Sequence, residues 1–261
     1  MAISIEQKEQ YEKIRQDLVT KYDSLVEIES EQSIVVTHGL AYLSLAASAL
    51  QCCGLQVSIG YINEEFLGGK RDDNLLVARR DLTRCLQYLE KAYTPYLDVP
   101  FSDYEKELNV LLNVDEFERY NFLRYVGFYI NYLDDIFIEK SKWHWFFMEM
   151  EARLSVLLKN SLNLKTLVQQ LDPRAPRFAE RTAVVNKVRE MLRKSAKEYR
   201  GRYELTTFAR DDFIRAIEFL LAAKRLAILL NNNQEASDLD KEITVWQAKM
   251  EKDEAQREKD K

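Results

Sequence analysis

Apolar positions recur at three- and four-residue spacing along most of the 261-residue chain, the period of helices rather than strands. Residues 5–31 carry Tyr11, Ile14, Leu18, Leu25 and Ile28 in an otherwise polar run interrupted by Lys21, which predicts a long polar helix resting on a narrow stripe. From Gln32 to Asn63 there is no Asp, Glu, Lys or Arg. This window predicts a second helix that stops near Gly54 and gives way to a connector through Gly68-Gly69. A membrane span needs about 20 mostly apolar residues. Here Thr37, His38, Gly39, Ser44, Ser48 and Gln51 dilute the run, so a helix buried at the centre of a packed body is the expectation.

The next helix, "LLVARRDLTRCLQYLEKAY", is closed by Pro95 and Pro100. Ser102 with Glu105 three residues on then reads as a capping box. In "VDEFERYNFLRYVGFYINYLDDIFIEK" Phe122, Tyr125, Tyr129, Leu133 and Ile136 share one face, and Phe117, Tyr120, Leu123 and Phe128 cover much of the rest. That spacing predicts a central helix covered on more than one side. Pro173 and Pro176 interrupt the pattern and suggest a hinge. The expected organisation is a helical domain over 1–172, a C-terminal helical subdomain over 173–250 with a stop at Gly201, and a charged tail over 251–261.

Composition agrees with this outline. Only seven Gly and four Pro punctuate the chain, too few for the frequent turns of a sheet protein. The expected fold class is all-α, a multi-helix bundle or a degenerate stack of antiparallel helices. A formal net charge of -5 gives no global attraction to nucleic acid. Cys52, Cys53 and Cys85 make an odd set with no metal-ligand spacing, and "MAISIEQKEQYEKIRQDL" lacks the apolar core of a secretory signal, so a reducing, cytoplasmic setting is expected.

Two segments echo each other. "LTRCLQYLEKA" (Leu82–Ala92) aligns with "FIRAIEFLLAA" (Phe213–Ala223), pairing Cys85 with Ala216, Tyr88 with Phe219 and Ala92 with Ala223. Small residues at fixed places between bulky ones let a neighbouring helix approach closely. The second copy, continued as "DFIRAIEFLLAAKRL", resembles the second helix of a tetratricopeptide repeat, with Phe213, Ala216, Phe219 or Leu220, and Ala223 in its signature places. The first copy departs from the repeat at Cys85, and the Trp, Leu-Gly and Tyr pattern of the repeat's first helix is missing. The resemblance implies helical hairpins used for holding other proteins. Asn231, Asn232 and Asn233 read as the stop of this helix.

Candidate chemistry is sparse. Between Arg174 and Arg202 basic residues outnumber acids, and Arg189, Arg193, Lys197 and Arg200 share one helical face suited to an acidic protein partner or to phosphates. No nucleic-acid reader motif accompanies them. "YLDDIFIEK" is similar to the aspartate-rich motif of all-α prenyl-diphosphate enzymes, with Asp134, Asp135 and Glu139 as magnesium-binding carboxylates. Its required opposing set, at Asp211 and Asp212, has Arg215 where the next acid belongs. His38 and His144 are the only histidines and make no Glu-x-x-His pairs; His144 is expected at the edge of the core. No glycine-rich phosphate loop occurs. The expectation is thus a non-enzymatic interaction module, an adaptor or scaffold without cofactor, metal or catalytic set. It would bind a protein partner through the basic face and the groove beside the helix at Phe213, with self-association open. A magnesium-dependent diphosphate enzyme and a peripheral membrane protein are the alternatives.

Overall fold

The computed structural model describes residues 4–36, 38–97, 99–137 and 143–259. Among these the chain is all-α, with no strand. Helices α1 (Ile5–Val35), α2 (Gly39–Glu65), α3 (Asp72–Tyr93), α4 (Phe101–Leu111) and α5 (Glu116–Phe137) come first. After them come α6 (His144–Asn160), the single turn α7 (Leu167–Gln170), α8 (Phe178–Arg202), a π-helical turn (Tyr203–Thr207), α9 (Arg210–Leu229) and α10 (Asn233–Lys259). They form two compact units, Met1–Thr94 with Lys106–Met150, and Pro95–Glu105 with Glu151–Lys261. The turn holding Pro173 and Pro176 lies inside the second unit.

In the first unit, α1 begins with a reciprocal cap: the Gln7 amide donates to Ser4 Oγ at 3.2 Å and the Ser4 amide to Gln7 Oε1 at 3.0 Å. His38 starts α2 by accepting the Ala41 amide at Nδ1. Helix α2 packs against α1 and α3, and its inner residues Leu45, Ala46, Ala49, Cys52 and Cys53 are almost fully buried. By length and composition it is the one described helix that meets the requirement for crossing a membrane.

α2 does not stop at Gly54; it continues through Gly60 to Glu65. Both glycines serve packing rather than termination. A Cβ on Gly54 would lie 2.5 Å from Tyr129 Oη, and one on Gly60 would lie 3.1 Å from Asn74 Cβ and 3.2 Å from Arg71 Cβ. Where α2 meets α3, the Asn63 amide donates to Asn74 Oδ1 and the Asn74 amide to Gln56 Oε1. α4 opens at Phe101, ahead of the expected cap, because the Asp103 amide already donates to the Pro100 carbonyl; Ser102 Oγ turns to Asp103 instead.

The second unit is organised by α8, α9 and α10. Ala216, Ala223 and Ala227 are buried along α9, and the flanking rings fill the gaps between the helices. Phe219 stacks on Tyr199 of α8, and Phe213 contacts Trp246 of α10. Gly201 is not a stop: the backbone runs on through the π-helical turn and reverses at Phe208, whose φ is 48°. At the far end of α9, Asn231 takes φ 57°, and Asn232 Oδ1 accepts the Glu235 amide to start α10.

Candidate functional site

The basic residues singled out by the sequence do lie along α8, but three of them face carboxylates of their own unit. Glu235, on the first turn of α10, receives Arg189 in a short ion pair and Arg193 Nη1 at 3.5 Å. Glu242 stands 3.9 Å from Arg193 Nη2. Arg200 pairs with Glu204 at 2.9 Å, and its guanidinium lies 4.7 Å from the Trp246 ring centroid. Lys197 is exposed. Neighbouring Lys194 pairs with Glu151 at 2.6 Å. Most of the charge on this face therefore helps fasten α8 within its own unit.

The carboxylates of the diphosphate motif do not converge. Asp134 is half-buried, Asp135 is exposed, and Glu139 lies outside the described residues. Asp212 is held by Arg202 and by the Thr207 hydroxyl at 2.5 Å, while Asp211 points to solvent. Among the described residues no three His, Cys, Asp or Glu side chains form a metal-ligating group. Burial pushes the Cys52 thiol up to about 12 and raises Cys53 and Cys85 as well, so all three stay protonated and shielded at neutral pH. His144 is exposed rather than tucked at the core edge. The inward positions there belong to Phe147 and to Trp143, whose ring takes the Arg79 guanidinium 4.0 Å from its centroid.

Sequence reasoning missed a buried ionic cluster in the first unit. Arg84 of α3 reaches Asp81 at 3.0 Å and Glu29 of α1 at 3.2 Å, and the Tyr88 hydroxyl donates to Glu29 at 3.1 Å. Asp81 is 1% exposed, and burial raises its carboxyl to about 6 against the opposing pull of Arg84. The signal was present: Asp81 interrupts the apolar stripe of α3 formed by Ala78, Leu82 and Cys85. One arginine between two buried carboxylates fixes the register of α1 on α3. Both carboxylates are buried while Arg84 keeps about a third of its side chain in solvent, an arrangement shaped for structure.

α5 differs most from its expected role. Its packed face is Leu123, Val126, Ile130, Leu133 and Phe137, and Phe117 is buried separately in the first turn. The other face is open: Tyr125 is 64% exposed and Phe128 57%. Phe128 stacks on Tyr132 with centroids 5.9 Å apart and meets Tyr129 edge-on at 5.4 Å. Asn121, Tyr125, Phe128, Tyr132 and Asp135 follow one another by four, three, four and three residues, so they form a continuous outward stripe. Beyond the first turn, where Phe117 is also buried, the expected two-sided enclosure fails because buried positions recur at 119, 123, 126, 130, 133 and 137, one face of the helix.

Comparison with known proteins gives one positive result: the chain fits the model of the TP0443 family over residues 4–254. A search of the curated proteins finds no match. With nearly its whole length covered by that model, this chain belongs to the TP0443 family.

Proposed function

We propose that this protein is a non-enzymatic protein-interaction module, an adaptor or scaffold, that docks a partner on the outward face of α5. The observation that carries the reading is the exposed pair Tyr125 and Phe128, with half-buried Tyr132 stacked on Phe128. Large rings left in water lose apolar hydration when covered, and aromatic side chains with few rotatable bonds are the commonest anchors of protein interfaces. Asn121, Arg124 and Asp135 flank the rings as polar groups able to make rim contacts. The basic face of α8 takes second place here, since Glu235, Glu242 and Glu204 already engage three of its four cations. Three unbridged, buried thiols support a cytoplasmic setting. The close packing around Ala216 and Ala223 supports the tetratricopeptide-like character of α9 as a scaffold element.

Affinity co-purification with quantitative mass spectrometry tests the proposal. The full chain is compared with a Tyr125→Ser/Phe128→Ser variant, with folding of both checked by thermal melting. A protein enriched by the parent and lost from the folded variant supports the docking face. Partners retained equally by both would remove it.

A further inference from the structure

Helix α1 runs for 31 residues along the first unit, yet Glu29, a carboxylate, is its one buried side chain. α2 and α3 bury nine residues each, so burial holds those two helices far more firmly than it holds α1. Tyr11, Leu18, Tyr22 and Leu25 of α1 are only half-buried, and Ile14 and Ile28 stay exposed.

Aromatic and ionic contacts fasten α1 at two places. Near its start Tyr11 stacks on Phe66, just past the end of α2, with ring centroids 3.9 Å apart. Farther along, Glu29 meets Arg84 of α3 at 3.2 Å and accepts the Tyr88 hydroxyl at 3.1 Å. Tyr22 lies against Asp81 of the same cluster. Cys52 of α2 sits there too, fully buried and within electrostatic reach of Glu29, Asp81 and Arg84. Cys85 lies beside Cys53 in the α2–α3 core. Between α1 and α2 the backbone is extended at Val36 and His38, so no continuous helix ties the two rods together.

We propose that α1 is a hinged arm that swings off α2 as one unit while α2 and α3 stay folded, with the Glu29–Arg84 bridge as its latch. Segments with few buried apolar contacts open at lower free energy than the core they lie on. Opening bares Cys52 and leaves the α2–α3 core closed, so the cysteines report the motion. The arm is independent of the α5 docking face, and neither proposal needs the other.

Alkylation of the full chain by iodoacetamide, read cysteine by cysteine by mass spectrometry, tests the arm. Cys52 reacts at least about tenfold faster than Cys85, and its rate barely changes in dilute urea because opening exposes little surface. Tyr11→Ala removes a contact roughly 20 Å along α2 from Cys52, at about 1.5 Å per residue, and still speeds Cys52 several-fold. Glu29→Gln, which releases the latch, does the same. Gly60→Ala strains α2 against α3, a contact that survives in the open arm, so it speeds Cys85 and leaves Cys52 unchanged. One common rate and urea dependence for both cysteines would overturn the proposal. So would an unaltered Cys52 rate in Tyr11→Ala or Glu29→Gln, or equal acceleration of both thiols by Gly60→Ala.

Discussion

Gly60 of α2 sits directly against Asn74 of α3, so close that a Cβ on the glycine would lie 3.1 Å from the asparagine's own Cβ. The Arg71 Cβ lies 3.2 Å away as well, and because both Cβ atoms are bonded directly to backbone, no side-chain rotation clears the space. Gly60→Ala should therefore destabilise the protein by about 1 kcal/mol, the overpacking penalty exceeding the gain in helix propensity. Gly201, also helical, has nothing within 4 Å of its would-be Cβ, and Gly201→Ala should stabilise by about 0.8 kcal/mol. Urea unfolding of the two variants reads the contrast. Equal signs would contradict the packing role of Gly60.

Asp81 makes stability depend on pH in an unusual direction. Its folded carboxyl, raised to about 6 from 3.8, holds its proton more tightly than in the unfolded chain, so the folded state binds more protons between those values. Stability from this group is greatest below about pH 4 and declines as pH rises through about 6, by roughly 3 kcal/mol at most. Other carboxylates act in the opposite direction, so the difference between parent and Asp81→Asn isolates the effect. The variant should be more stable than the parent at pH 7.5, with that advantage shrinking toward pH 4.5. A difference that does not change with pH would show that Asp81 titrates normally.

Glu235 binds α8 to α10 and also stabilises the start of α10, since the Asn232 amide group donates to its carboxylate at 3.0 Å and its own backbone amide donates to Asn232 Oδ1 at 3.2 Å. Glu235→Ala leaves Arg189 without its carboxylate and should cost roughly 1–2 kcal/mol by chemical unfolding. Reversing Arg189 and Arg193 to Glu should lower the melting temperature as well, by setting like charges against Glu235 and Glu242. Lys197→Glu should leave it within about 1 °C, as surface changes away from packed features usually do. Equal melting of all variants would return the α8 face to the role of a free surface.

Which parts of this arrangement can be seen in the sequence follows from what a one-dimensional pattern encodes. Helix class and several boundaries are visible because period and punctuation are local: Pro95 and Asn231–Asn233 act on their own neighbours. The continuation of α2 past Gly54 is not visible, because the reason for that glycine is Tyr129, 75 positions away. The same holds for the arginines of α8, whose clustering is legible but whose carboxylates sit on α10. For α5 the aromatic content is plain, yet ring density says nothing about which rings find a neighbour. Glu29, Cys52 and Arg84 meet from three helices, and no spacing rule connects them.

The docking role of α5 is tested most directly by hydroxyl-radical footprinting of the full chain alone and saturated with its co-purified partner. Oxidation of Tyr125 and Phe128 should fall several-fold in the complex, while exposed Tyr61 and Tyr96 react as before. Unchanged oxidation of Tyr125 and Phe128 in a saturated complex would mean that the partner binds elsewhere, and that the outward rings of α5 are not its anchor.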